Sequence, residues 1–138
     1  MEVKRLMLPV TGLTIAELNE MSPLVLAYVG DAVYELAIRS RLAAGQRRKI
    51  NEIHLDAVNL TKAEAQAETL RMIEEHLTDE EIAIVKRGRN AKSHSRPKNA
   101  GIANHRLSTG LEALFGYLYL KGDSQRLQEI LEWAIDLD

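Results

Sequence analysis

Residues 22 to 45, SPLVLAYVGDAVYELAIRSRLAAG, constrain the fold more than any other part of the chain. Ser22 has an N-cap side chain, Pro23 suits the first helical position, where a missing N–H is no loss, and Gly45 follows the last strong helix formers as a stop. A helix over residues 23 to 43 would be ~30 Å long. From Leu24 to Ile38 nearly every position is apolar or aromatic, which predicts burial on most sides. Gly30, Asp31 and Glu35 interrupt that run. An unpaired carboxylate is costly in an apolar interior, so Asp31 marks a polar spot in the expected core. Glycine costs ~1 kcal/mol relative to alanine inside a helix, so Gly30 beside that acid predicts that something approaches the backbone closely. Glu35 shares a face with Asp31 and is expected at a rim, paired with an arginine.

With 138 residues and no cysteine, one domain over 1–138 is expected, large enough to build a core without disulfides. The first twelve residues lack the long apolar region of a secretory signal, and the apolar run after Pro23 is too short and too acidic to span a membrane. A cytoplasmic location is the expectation. Net charge is −2, so any argument for a polyanionic partner must rest on local charge.

The rest of the chain reads as further helices. Thr14 and Glu17 have capping-box spacing and predict a short helix ending near Met21. After the basic connection Arg47-Arg48-Lys49, helical spacing runs from Ile50 to Leu77, with Thr61 and Glu64 placed to recap a second helix; one bent helix and two helices both fit. Thr78 and Glu81 form another capping-box pattern with Leu77 and Ile82 as its staple, predicting a helix from about Asp79 to Lys86. Residues 86–100, KRGRNAKSHSRPKNA, have no apolar period and read as an exposed loop. A helix over Thr109 to Lys121, a stop at Gly122 and a last amphipathic helix capped by Ser124 complete the series. No stretch alternates with period two, so the fold class is all-α.

Two features carry chemistry. Lys86, Arg87, Arg89, Lys92, Arg96 and Lys98 put six cations in thirteen residues without an acid, and Asn90 and Ser93 add hydrogen-bonding groups among them. That composition suits phosphates and ribose hydroxyls, although a solvated loop has the same signature. The second feature is the pair Asp31 and Glu112, each in an apolar helix with a glycine nearby. Two carboxylates converging from separate helices can hold a divalent cation such as Mg²⁺, which keeps much of its water. Glu112 has a competing reading, because Thr109 and Glu112 also have capping-box spacing. The four histidines have no zinc-site spacing.

These residues resemble a known family. Ala27-Tyr-Val-Gly-Asp31-Ala-Val-Tyr-Glu35 resembles the signature helix of the ribonuclease III catalytic domain, and Glu112-Ala-Leu-Phe-Gly116 its second acidic motif. Glu80-Glu81, residues 85–93, Pro97-Lys98-Asn99 and Ser108-Thr109 are most similar to the Mini-ribonuclease III group, which lacks a double-stranded-RNA-binding domain. The resemblance implies a ribonuclease III-like helical fold and a homodimeric endonuclease acting on double-stranded RNA with Mg²⁺ or Mn²⁺. Asp31 and Glu112 would be its catalytic and metal-binding residues, and large-subunit (23S) ribosomal RNA precursor its substrate. It also implies that Lys86, Arg87, Arg89, Asn90, Lys92, Ser93, Arg96 and Lys98 grip RNA. Leu24, Ala27 and Thr109 stand where full-length ribonuclease III enzymes carry acids, which leaves the metal fewer protein ligands. Two other readings fit the residues: a non-catalytic protein binding double-stranded RNA or the ribosome, and a helical dimerisation module without a nucleic-acid partner.

Overall fold

The computed structural model describes residues 13–45, 47–91 and 101–135. Seven α-helices follow in order: α1 (Ile15–Glu20), α2 (Pro23–Ala43), α3 (Ile50–Thr61), α4 (Ala63–Ile73), α5 (Asp79–Asn90), α6 (Gly101–Lys121) and α7 (Ser124–Ala134), with a 3₁₀ turn at Glu74–His76. The described residues contain no strand.

The local signals act as expected where the cap is a side chain close in sequence. Thr14 and Glu17 close a capping box on α1, and Thr78 and Glu81 close one on α5, with Thr78 N donating to Glu81 Oε1 at 2.8 Å. Ser22 caps α2 by accepting from Leu24 N. Gly122, at φ 79°, ends α6: its N–H donates to the Tyr119 carbonyl and the Asp123 N–H to that of Leu118. Asp123, rather than Ser124, then caps α7 by accepting from Arg126 N at 3.2 Å.

One open choice is resolved and two boundaries differ from expectation. The Ile50–Leu77 stretch is two helices, broken where Lys62 turns extended; the Thr61 hydroxyl donates back to the Ala57 carbonyl instead of recapping. Helix α5 runs through Lys86, Arg87, Arg89 and Asn90, which the sequence assigns to a loop. Its last turn is polar because it lies at the surface, but Gly88 packs against Gly110 so tightly that a Cβ would stand 2.8 Å from the Gly110 Cα. Helix α6 begins at Gly101, not Thr109, and its polar first turns also lie on the surface.

The middle of the molecule is α6, not α2. Ser108–Leu111 and Ala113–Leu118 are all buried, and α2, α4 and α5 pack around them. Tyr34 of α2 stacks on Phe115, ring centres 4.9 Å apart, at the heart of the core. Helix α2 gives the core only one side: Leu26, Gly30, Tyr34 and Ile38 face inward, whereas Val25, Tyr28 and Leu36 are 48%, 82% and 61% exposed. Burial on most sides is therefore corrected to burial on one side with an apolar face left open. Helix α7 is tied to α5 by Arg126, which donates to both oxygens of buried Glu81 at 2.7 and 2.8 Å and to the His76 carbonyl at 2.9 Å. No helix among the described residues is long and apolar enough to cross a membrane.

Candidate active site

Helices α2 and α6 cross with their backbones in contact. A Cβ added to Gly30 would stand 1.6 Å from the Glu112 carbonyl oxygen, and one added to Gly116 would stand 1.9 Å from the Leu26 carbonyl oxygen. Only two hydrogens fit at that crossing. Asp31 follows Gly30, and Glu112 lies one turn before Gly116, so the crossing brings the two acids together.

Asp31 is exposed, which corrects its expected place in the core: it sits at the edge of the helix crossing, open to solvent. Glu112 is the half-buried partner. Burial first, then a hydrogen bond with Asp31 and the charge of Asp31, with a smaller push from Glu35, raise its carboxyl from the ordinary 4.5 to about 9, against an opposing bond from Ser108. Burial and the neighbouring Asp31 together keep the proton on Glu112. The capping-box reading of Glu112 falls, because Thr109 is mid-helix and its hydroxyl donates to the His105 carbonyl at 3.0 Å. Glu35 does pair with an arginine, Arg39, at 3.6 Å.

The donor set fits a hard divalent cation with few protein ligands. A cation would take the place of the Glu112 proton, and the exposed Asp31 side leaves room for water. Among the described residues no group of three or more His, Cys, Asp or Glu side chains is arranged to hold a metal.

Behind Glu112 stand two polar residues, Ser108 on α6 and Gln66 on α4. Ser108 lies 3.4 Å from Glu112 Oε1, and its hydroxyl donates to Gln66 Oε1 at 3.0 Å. Sequence reasoning does not single out Gln66. The signal that could have found it is position: it falls on the inward stripe Ala63, Gln66, Ala67, Leu70, Ile73, where an apolar residue belongs.

The expected RNA-binding residues divide. Lys86 and Asn90 are exposed on the last turns of α5, and Arg89 is half-buried there. Arg87 is drawn back, donating to the Met21 carbonyl at 2.9 Å and fastening α5 to the turn before α2. Lys92, Ser93, Arg96 and Lys98 lie outside the described residues. Of the three positions without acids, Ala27 and Thr109 are buried at the packed helix faces and Leu24 is half-buried.

Comparison with known proteins gives one family. Residues 24–123 match the Ribonuclease III domain. The chain is 44% identical over 122 residues to the Mini-ribonuclease 3 of Clostridium tetani, spanning 88% of this chain and 81% of that protein. It is 47% identical over 117 residues to the Mini-ribonuclease 3 of a Thermoanaerobacter species, spanning 85% and 82%. The crystal structure of protein FN1578 from Fusobacterium nucleatum superposes with a TM-score of 0.73 at 27% identity, covering 84% of this chain and 93% of that one.

Proposed function

Because the chain belongs to the ribonuclease III family, among its Mini-ribonuclease 3 members, we propose that it is a metal-dependent endoribonuclease of double-stranded RNA in which Asp31 and Glu112 hold the catalytic cation. The observation that carries the reading is the backbone crossing at Gly30 and Gly116, which keeps an exposed and a half-buried carboxyl side by side. Mg²⁺ or Mn²⁺ bound there would supply Lewis acidity at the scissile phosphate, leaving 5′-phosphate ends. Asp31, exposed to solvent, would be the cation's ligand on the open side of the crossing. Glu112 binds it from the protein side, and Glu35 adds negative charge one helical turn from Asp31.

The cations Lys86, Arg89, Lys92, Arg96 and Lys98, with Asn90 and Ser93, contact the RNA backbone, and Arg87 holds the α5 end in place. Such contacts bind without reading sequence. The open apolar face of α2, with Val25, Tyr28 and Leu36, supports a homodimer, in which two sites each cut one strand. We assign the enzyme to maturation of the large-subunit ribosomal RNA precursor in the cytoplasm.

The test is cleavage of double-stranded RNA containing a ribosomal-precursor stem, with Mg²⁺ or excess chelator, by the native chain and by Asp31→Asn. The expected result is cutting by the native chain only with metal, and binding without cutting by the folded variant. If the native chain binds the stem but cuts it with neither Mg²⁺ nor Mn²⁺, the chain is a non-catalytic RNA-binding protein. If it does not bind the stem at all, the nucleic-acid reading fails.

A further inference from the structure

Ser108 and Thr109 are neighbours in α6 and use their hydroxyls differently. Thr109 donates to the His105 carbonyl one turn back, the usual resting place of a hydroxyl inside a helix. Ser108 instead donates across to Gln66 on α4 at 3.0 Å and faces Glu112 at 3.4 Å.

Gln66 is 2% exposed. A buried amide is unfavourable unless its polar atoms are partnered, and methionine would fill the same space without that requirement. Its nitrogen donates to the Thr61 carbonyl at 2.8 Å. That carbonyl lies in the last turn of α3, where no following helical N–H accounts for it. A carbonyl can only accept, so this bond determines which way the amide points: nitrogen to Thr61, oxygen to Ser108. The amide oxygen in turn accepts from the Ser108 hydroxyl at 3.0 Å, and Glu112 Oε1 is that hydroxyl's second, longer acceptor at 3.4 Å. The Ser108 oxygen is thereby held in one rotamer beside Glu112 Oε1. A series runs from a backbone atom at the α3–α4 elbow through Gln66 and Ser108 to Glu112 and ends at Asp31.

We propose that Gln66 is a positioning residue: pinned by the Thr61 carbonyl, it fixes the Ser108 hydroxyl and, through it, the direction in which the Glu112 carboxyl faces Asp31. The inference rests on the reading of Asp31 and Glu112 as the cation site. Groups hydrogen-bonded behind a ligating carboxylate restrict its orientation, and their removal typically weakens metal binding about 10–100-fold.

The test uses Mn²⁺ alone, titrated into the full chain without RNA, with free aquo-ion followed by electron paramagnetic resonance. Gln66→Met keeps length and volume and loses the amide, whereas Ser108→Ala removes one oxygen. Each is expected to weaken Mn²⁺ binding by about tenfold, and the double variant by no more than the weaker single, because both interrupt one series. Retention on double-stranded RNA in chelator should match the native chain. A role in packing alone would lower the melting temperature and leave Mn²⁺ affinity untouched, and that result overturns the proposal. So does multiplication of the two effects in the double variant. Should Gln66→Met fail to fold, Ser108→Ala with native Mn²⁺ affinity still overturns it. A native chain that does not take up Mn²⁺ refutes the cation reading itself, and this inference with it; native binding with unaffected variants refutes only the positioning role.

Discussion

Adding one methyl group to Gly30 tests the crossing on which the site depends. In Gly30→Ala the new Cβ would lie 1.6 Å from the Glu112 carbonyl oxygen, 2.6 Å from its carbon and 2.8 Å from Gly116 N, where ordinary contact begins at 3.4 Å. All three atoms are backbone and cannot rotate aside. Relief requires α2 and α6 to separate by roughly 2 Å, given contact distances of ~3.5 Å or more. Overpacking where side chains can yield costs ~1–3 kcal/mol, and a backbone obstacle belongs at the upper end or above it. The better helix propensity of alanine returns ~1 kcal/mol. The net loss is therefore ~2–3 kcal/mol, a fall in melting temperature of about 6–12 °C for a domain of this size. Gly45→Ala is the control, because its nearest contact would be the Leu42 carbonyl oxygen at 3.4 Å. It should stay within ~0.5 kcal/mol of the native chain. Thermal unfolding followed by far-ultraviolet circular dichroism reads both, and Mn²⁺ titration reads whether the acids have parted. If Gly30→Ala melts with the control and binds Mn²⁺ normally, the backbone crossing does not hold the site together.

The raised Glu112 carboxyl gives a pH dependence of definite sign. The folded chain keeps a proton on Glu112 up to about pH 9 that the unfolded chain releases near 4.5, so the metal-free protein should lose stability as pH rises through that interval. The slope for one proton cannot exceed ~1.4 kcal/mol per pH unit, and Glu112→Gln should flatten it; urea unfolding in chelator at several pH values measures both. Neutralising Lys86, Arg89 and Arg96 together should weaken RNA binding broadly and reduce the salt slope by about one unit for each phosphate no longer neutralised. An unchanged slope would remove these residues from the RNA interface. Tyr28→Lys places a charge in the middle of the open α2 face and should shift the chain to monomer in sedimentation equilibrium, whereas an unaltered mass would locate the contact between copies elsewhere.

Short-range signals in this sequence are readable because the atoms that satisfy them are close along the chain. The capping boxes at Thr14 and Thr78 need only a hydroxyl and a carboxylate three residues apart, and both form. Gly30 is also legible, since a glycine in an otherwise strong helix has few explanations besides close approach. The neighbour itself, the Glu112 carbonyl, is not, because nothing local marks contacts between distant segments. Apolar composition on all sides of α2 does not separate a buried helix from one offering a face to a partner, so composition alone sets Asp31 too deep. Lys86 to Asn90 read as a loop because a surface helix without an apolar stripe looks like one; what makes them helical is Gly88 against Gly110. The Thr109–Glu112 spacing misleads in the opposite way. A capping pattern has meaning only at a helix end, and α6 runs straight through it.

The crossing of α2 and α6 also has a consequence in time. Gly30 and Gly116 lie far apart in sequence, so their contact closes a large loop. A chain growing from its N-terminus carries Asp31 well before Glu112 is there to stand beside it. A copy that stops before α6 therefore lacks the acid pair. Competence at the acid pair arrives in one late step, with the docking of α6, and a chain that misses that step lacks its core as well as its site.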